Sequence, residues 1–116
     1  YVAEANRETL VCVQWEDAEA LRHSDEMLAV EGVDVYFIGP SDLSQSLGYP
    51  GRPDAPPVRR AIAEALERIR AAGRIAGSAG GATALREYRD QGALYLYTHL
   101  TTLLAEGATR FREALA

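Results

Sequence analysis

The chain has 116 residues, which suits one compact domain but falls far short of the roughly 250 residues of a complete (β/α)8 barrel. A net charge of −5 and a hydrophobic fraction of 47% are typical of an ordinary globular protein. An acidic chain without a basic run is a poor partner for nucleic acid or an anionic membrane. No apolar stretch reaches the ~18 residues that span a bilayer, and the first residues lack a signal-peptide pattern, so we expect a cytoplasmic protein.

The only cysteine, Cys12, lies inside an apolar run, so we expect it to pack in the core and expect no internal disulfide. The first eight residues, beginning at Tyr1, resemble the end of an element more than a beginning. We therefore expect the chain to be a piece of a longer protein.

Four short runs of consecutive apolar residues predict strands that are buried on both faces. They lie at residues 10–13, 33–38, 75–76 with their flanks, and 93–97. Asp17 is placed to cap a helix over 18–30, a second helix runs from Pro57 to a turn at Gly73, and two more cover 82–91 and 101–115. The apolar stripe of the second helix is Val58, Ile62, Ala65, Leu66 and Ile69. Strand and helix alternate four times, which predicts an α/β fold of parallel βα units.

Four βα units amount to half of an eightfold barrel, and half a barrel leaves two strand edges and one sheet face uncovered. We expect residues 1–116 to form one partial domain of this kind, which something else must close. The long connection at residues 39–56 is rich in proline and glycine, and a loop of that length is usually functional or disordered.

Two acidic residues follow the first two predicted strands, where ligands of parallel α/β folds gather. Glu16 comes after the first strand and Asp42 after the second. Neighbouring carboxylates suit a hard divalent cation such as Mg²⁺ or Mn²⁺, which takes one or two protein carboxylates and leaves other positions to water and substrate. The spacing alone also allows another interpretation, in which Glu16 or Asp17, and Asp42, cap the helices that follow.

Three sequence segments add to the evidence from these two acidic residues. They are the run DEMLAVEGVD at 25–34, a Gly-Pro-x-Asp-Leu-Ser signature at 39–44 with a Glu 26 positions before its Asp, and the loop LGYPG at 47–51. The combination resembles the HpcH/HpaI family of class II, metal-dependent pyruvate aldolases. The resemblance covers nearly the whole chain and implies a (β/α)8 TIM barrel, of which this chain matches the last four βα units.

The resemblance also implies roles for individual residues. By position, Glu16 and Asp42 match the metal ligands, and Gln14 matches a residue beside the bound keto acid. Gly39 and Ser41 match the turn whose backbone N–H groups hold the carboxylate of pyruvate. The implied cofactor is Mg²⁺ or Mn²⁺, with Co²⁺ also suitable, and the implied reaction is reversible cleavage of a 4-hydroxy-2-oxo acid to pyruvate and an aldehyde through a metal-stabilised enolate. All 12 basic residues are arginine, so the chain has no lysine to form an imine.

The chain also departs from the family pattern. In the family, the histidine for proton transfer and the arginine that contacts the keto acid lie in the N-terminal half of the barrel. Residues 1–116 match only the C-terminal half, so they include neither. His99 stands after the fourth strand where the family has Gly, and Thr101 where Asp is common, so His99 is either a substitute base or simply a hydrogen-bonded side chain. We expect His23 to be solvated, and Tyr95 and Tyr97 to face one common layer as core or interface residues.

Two functions remain open at this point. In the first, the chain is the metal-binding half of an aldolase, and a complementing N-terminal half or another copy in a homo-oligomer closes it. In the second, it is a catalytically incomplete paralogue that keeps the metal and keto-acid pocket as a binding or assembly subunit. The expected small-molecule partners are pyruvate or another 2-oxo acid and an aldehyde.

Overall fold

The structure, a computed structural model, describes residues 2–116 of the chain, with side chains described from residue 4 onward. Within that part, the elements in chain order are α1 (Val2–Glu8), β1 (Cys12–Trp15), α2 (Ala18–Arg22), α3 (Ser24–Leu28), β2 (Val35–Ile38), α4 (Pro40–Ser46), α5 (Pro56–Ala71), β3 (Ile75–Ala79), α6 (Ala82–Asp90), β4 (Tyr95–Tyr97) and α7 (Leu100–Leu115).

The four strands form one sheet in the order β1-β2-β3-β4, and each neighbouring pair is parallel. Parallel neighbours require a crossover, and helices supply it between each pair. The predicted α/β fold of four parallel βα units is therefore confirmed.

The helices cover one face of the sheet, which we call the covered face. Trp15, Ile38 and Ser78 stand level with one another there, and the Trp15 and Ile38 side chains are fully buried. The predicted stripe of α5 packs against them, and all five of its residues are buried: Val58, Ile62, Ala65, Leu66 and Ile69. Apolar residues three and four apart along a helix lie on one side, so this single helix supplies much of the core.

The opposite side of the sheet, which we call the open face, lacks such a layer. Phe37 lies there between Tyr95 and Tyr97, with ring centroids 6.1 and 6.0 Å away. Tyr95 and Tyr97 share this face as predicted, yet they remain 41% and 42% exposed. Cys12 also lies on the open face and is exposed, so the prediction that it packs in the core is wrong. A strand buried on both faces needs two covering layers, and the described residues supply one.

Two predicted segments differ from the structure. The single helix expected over 18–30 is two short helices, α2 and α3, separated at His23. The break coincides with a long-range contact, because Arg68 on α5 donates to the Leu21 carbonyl and to the Ser24 hydroxyl. The connection at 39–56 is not an irregular loop, since it begins with α4 and continues through turns in which Gly48 and Gly51 adopt positive φ angles.

The last helix, α7, has no buried residue. Its apolar side chains point to solvent, and those of Leu100, Leu104, Phe111 and Leu115 follow helical spacing. The radius of gyration of 16.4 Å exceeds the roughly 13 Å of a compact chain of this length. Within the described residues, no helix has both the length and the apolar character to cross a membrane.

Candidate functional site

The register of the sheet places the predicted site residues in rows on the open face. Gln14, Phe37, Gly77 and Tyr95 stand level across the four strands. Because side chains alternate along a strand, the residues two positions further on form the next row on the same face. We call this second row, at the carboxyl ends of the strands, the mouth row: Glu16, Gly39, Ala79 and Tyr97.

Gln14 and Glu16 converge over Gly39. A Cβ atom added to Gly39 would lie 3.1 Å from Glu16 Cβ, 3.4 Å from Glu16 Oε2 and 3.8 Å from Gln14 Nε2. The Gly39 N–H donates to the Trp15 carbonyl at 3.0 Å, which ties the end of β2 to the end of β1. A side chain at this position would therefore crowd Glu16, and glycine lets the two polar side chains lie close to the end of β2.

Asp42 lies in the first turn of α4, three residues beyond Gly39, and its side chain is exposed. The N-cap of α4 is Gly39, which offers no side-chain cap. Asp17 does cap α2, since its Oδ1 accepts from the Ala20 N–H at 2.6 Å. The capping interpretation is thus correct for Asp17, whereas neither Glu16 nor Asp42 occupies an N-cap position.

Carboxylates of the kind that a hard divalent cation prefers follow two neighbouring strands at this end of the sheet. Glu16 and Asp42 supply carboxylates from two neighbouring βα units, and Mg²⁺ often takes only one or two. Residues 4–116 contain no cluster of three or more His, Cys, Asp or Glu side chains that could hold a metal ion. An ion at this site would consequently keep most of its positions for water or a ligand.

Ser41 follows Gly39 in the first turn of α4. Its carbonyl accepts a hydrogen bond of 2.7 Å from the buried Ser44 hydroxyl, while the Ser41 side chain is exposed. Ser41 also borders a strand-end cavity of about 360 Å³, which lies between the loop before α5, the start of α6 and the start of α7. Within the turn that the resemblance assigns to the keto acid, Ser41 is exposed, whereas Gly39 and Pro40 are buried.

His99 borders the same strand-end cavity and occupies the N-cap position of α7. The Tyr97 hydroxyl lies 3.0 Å from His99 Nε2 and 3.2 Å from Nδ1, and the two rings meet edge to face. His23 is exposed and lies 3.3 Å from Glu26, as expected of a solvated side chain. The part played by Tyr97 was not predicted, although the alternation of Tyr95 and Tyr97 placed it on this face.

The far wall of the strand-end cavity is charged. Arg59 and Glu87 form an ion pair across it at 2.8 Å, with Asp54 nearby in the lining. Burial raises the pKa of Tyr88 above its ordinary value, Glu87 raises it further, and Arg59 opposes the shift. The cavity lining thus combines hydroxyl groups with the Arg59–Glu87 ion pair and one further carboxylate, Asp54.

Four parallel βα units define an α/β fold, and comparisons with known proteins specify the family. The profile of the HpcH/HpaI aldolase/citrate lyase family matches residues 2–100, so the chain belongs to that family. It is 43% identical to a 4-hydroxy-2-oxo-heptane-1,7-dioate aldolase of Klebsiella pneumoniae and 44% identical to one of Salmonella arizonae, in both cases over its whole length. The chain spans 43% of the length of each of these relatives.

Solved structures agree with this assignment. An HpcH/HpaI aldolase/citrate lyase family protein of Burkholderia cenocepacia superposes with a TM-score of 0.88 at 32% identity, over 99% of this chain and 46% of that one. An HpcH/HpaI aldolase of Desulfitobacterium hafniense superposes with a TM-score of 0.79 at 27% identity, over 97% of this chain and 45% of that one. The four βα units described above thus match slightly less than half of each structure.

Proposed function

We propose that this chain is the metal-binding part of a class II aldolase that cleaves and forms 4-hydroxy-2-oxo acids. The observation that carries the proposal is the convergence of Gln14 and Glu16 over Gly39, with Asp42 one turn further along the chain. The relatives named 4-hydroxy-2-oxo-heptane-1,7-dioate aldolase support the reaction class. Their name also supports pyruvate or another 2-oxo acid as one reactant and an aldehyde as the other.

In this proposal, Glu16 and Asp42 hold a divalent cation, Mg²⁺ or Mn²⁺, with Co²⁺ as a further candidate. A cation at that position supplies Lewis acidity, which withdraws charge from the keto carbonyl of the substrate. The two carboxylates follow neighbouring strands, Glu16 directly after β1 and Asp42 in the first turn of α4 after β2.

The remaining site residues bind and orient the keto acid. Gln14, whose amide nitrogen faces the space above Gly39, donates to a ligand oxygen. Within the Gly39–Ser41 turn, the backbone N–H of Ser41 holds the carboxylate, because the Gly39 N–H donates to the Trp15 carbonyl and Pro40 has no N–H. The chain contains no lysine, so none of its own residues could form an imine with the keto carbonyl.

His99 is the proposed proton carrier among the described residues. Its imidazole borders the strand-end cavity together with Ser41, and the Tyr97 hydroxyl contacts its ring nitrogens. When the Tyr97 hydroxyl accepts a hydrogen bond from the protonated ring nitrogen, the other ring nitrogen is unprotonated and can accept a proton. In this arrangement His99 accepts the proton of the substrate's hydroxyl group during cleavage.

A second function is favoured by the open face itself. Tyr95, Tyr97 and the apolar residues of α7 remain exposed, which is typical of surfaces that another polypeptide covers. We therefore also consider a subunit that binds metal and keto acid but performs no chemistry by itself. In either case we propose an assembly, either a homo-oligomer or a complex with a complementing N-terminal half.

Exchange of the pyruvate methyl protons tests the aldolase proposal. The chain with Mg²⁺ or Mn²⁺ is incubated with pyruvate in D₂O, and loss of the methyl signal is followed by NMR, with EDTA as the control. Metal-dependent exchange that His99→Ala abolishes supports an active chain. Metal binding without exchange supports the second function, provided that the Klebsiella aldolase exchanges pyruvate under the same conditions.

Binding of Mn²⁺ tests the metal site separately from the chemistry. Glu16→Gln and Asp42→Asn should each weaken Mn²⁺ binding by at least about tenfold, as measured by electron paramagnetic resonance of the free ion. Glu19→Gln is the matched control, because Glu19 is an exposed carboxylate on α2. Equal loss in all three variants would contradict the assignment of Glu16 and Asp42.

A further inference from the structure

The strand-end cavity reaches the turn that is proposed to hold the keto acid. Ser41 of that turn and His99 both border the cavity, whose volume is about 360 Å³. Ala79, Gly80 and Gly81 border it as well, and these residues contribute little or no side chain. A ligand in the cavity would therefore lie beside the keto acid and beside the proposed proton carrier.

A hydroxyl without a partner belongs to the cavity lining. Tyr88, which carries it, is only 7% exposed. The hydroxyls of Tyr36 and Tyr97 have partners in the protein, whereas no hydrogen bond within residues 4–116 involves the hydroxyl of Tyr88. Its oxygen is not sealed from the surface as the Trp15 indole nitrogen is. Buried polar groups nearly always have a partner, and a ligand in the cavity can supply one here.

Glycine at position 80 keeps one edge of the Tyr88 ring free of a neighbouring side chain. A Cβ atom added to Gly80 would lie 3.0 Å from Ala84 Cβ and 3.9 Å from Tyr88 Cε2. Burial raises the pKa of Tyr88, and the charges of Glu87 and Arg59 act on that pKa in opposite directions because both lie near the phenol. The unpartnered hydroxyl, the glycine and the ion pair thus share one region of the cavity.

The charges of the lining do not favour a carboxylate. Among residues 4–116, Arg59 is the one arginine that lines the cavity, and its Nη2 lies 2.8 Å from Glu87 Oε2. Asp54 adds a carboxylate that forms no ion pair with another described side chain. With Arg59 counted as positive and Asp54 and Glu87 as negative, the lining carries one net negative charge. An anionic ligand group would therefore meet repulsion there.

Hydroxyl groups supply most of the remaining polar lining, and they belong to Ser41, Thr83 and Tyr88. A hydroxyl both donates and accepts, whereas a carboxylate only accepts, so these groups suit a ligand that has hydroxyl groups of its own. Building on the proposed aldolase function, we propose that the strand-end cavity takes the aldehyde reactant and that this aldehyde is uncharged and hydroxylated. Such a ligand lacks the second carboxylate of the dioate after which the Klebsiella and Salmonella relatives are named.

Aldehyde binding, measured without pyruvate, tests the proposal without the need for turnover. The chain has two histidines, of which His99 lines the cavity, so His23→Gln leaves one imidazole Cε1–H resonance to follow by NMR. The probes are glyceraldehyde, propanal as its counterpart without hydroxyl groups, and succinic semialdehyde as the aldehyde with a carboxylate. Glyceraldehyde should shift the His99 resonance saturably, with a Kd about fivefold or more below those of the other two, since they lose hydrogen bonds or meet repulsion.

Two variants separate the hydroxyl from the charge. Tyr88→Phe should raise the Kd of glyceraldehyde about fivefold and leave that of propanal unchanged, because it removes one hydroxyl and keeps the ring. Tyr49→Phe is the matched control, since Tyr49 lies outside the cavity lining. Asp54→Asn, at an exposed position, should narrow the difference between glyceraldehyde and succinic semialdehyde, whereas Asp25→Asn on α3 should not.

A His99 resonance that does not respond to glyceraldehyde would overturn the proposal. Equal affinities for glyceraldehyde and succinic semialdehyde would do the same, as would equal effects of Tyr88→Phe and Tyr49→Phe. Exchange of the pyruvate methyl protons needs no aldehyde, so its absence would count against the aldolase function and not against the choice of aldehyde.

Discussion

The two faces of the sheet differ in what lies against them. On the covered face, Trp15, Ile38 and the stripe of α5 are buried in one apolar core. On the open face, Phe37 is shielded mainly by Tyr95 and Tyr97, and these two rings stay near 40% exposed. The same four strands therefore give stability through one face and present the candidate site through the other.

This contrast shows that the polar side chains of the candidate site can come together without a closed barrel. Gln14, Glu16 and Gly39 come together through the pairing of β1 with β2 and the N–H of Gly39 alone. By contrast, the aromatic rings of the open face would be buried only if a further layer of polypeptide covered them. The site and the barrel interior thus depend on different parts of the protein.

The largest expected difference lies between a leucine buried in the covered face and an exposed leucine outside the core. Leu66→Ala, in the covered core, should reduce the free energy of unfolding by about 2–5 kcal/mol, because it removes buried methyl groups and leaves a cavity. Leu94→Ala, at a side chain that is 78% exposed, should change it by less than about 0.5 kcal/mol. Urea denaturation measures both. Similar losses in the two variants would mean that burial in the covered core does not set the stability.

Gly77→Ala tests whether every position on the open face can be substituted without loss of stability. A Cβ atom there would lie 2.7 Å from the Tyr95 carbonyl oxygen and 3.1 Å from Phe37 Cδ2, so the strands must shift. The expected cost is about 1–3 kcal/mol by urea denaturation. Gly107→Ala in α7 is the control, since nothing lies within 4 Å and the change should slightly stabilise the helix. A neutral Gly77→Ala would contradict the close approach of β3 and β4.

Cys12 reports on access to the open face. Desolvation raises the pKa of its thiol above the ordinary value, so the rate of labelling by a thiol reagent should rise steeply through alkaline pH. Labelling should nonetheless reach completion in the folded chain, because the residue is exposed. Cys12→Ser should alter stability by less than about 0.5 kcal/mol. Protection of Cys12 in an assembly, with labelling restored on dilution, would locate the covering partner on this face.

The smallest effect concerns Tyr88 and appears only at high pH. Its folded-state pKa is raised, so the unfolded chain releases this proton first as pH rises. The associated stabilisation is present below the ordinary value near 10 and is lost as pH rises through the folded-state pKa. Tyr88→Phe should therefore lose less stability than the parent chain above pH 10, as measured by urea midpoints. Parallel curves at every pH would rule out this contribution.

The covered face was largely predictable from the sequence. The stripe of α5 agrees residue by residue, because a long amphipathic helix repeats one signal over several turns. The break at His23 was not predictable, since it accompanies the contact from Arg68, 44 residues beyond Ser24. The short helix α4 was missed because seven residues rich in serine give almost no periodic signal.

The candidate site was also predictable from the sequence only in part. The period of two along a strand places Gln14 and Glu16 on one face, and their approach over Gly39 agrees with that expectation. Their roles, and those of Asp42 and Ser41, follow from the resemblance and remain proposals. The contact of Tyr97 with His99 depends on the side-chain conformations of both residues. The wrong expectation for Cys12 came from reading an apolar run as a strand covered on both sides.

The turn at Gly73, where φ is +71°, divides the chain into two pairs of units. The first pair carries all the residues assigned to metal and keto acid, whereas the second carries Tyr97 and His99. A chimaera joined at this glycine would consequently exchange one set of groups while leaving the other intact. The chain thus offers a natural crossover point for recombination, at which Tyr97 and His99 could be exchanged without rebuilding the proposed cation site.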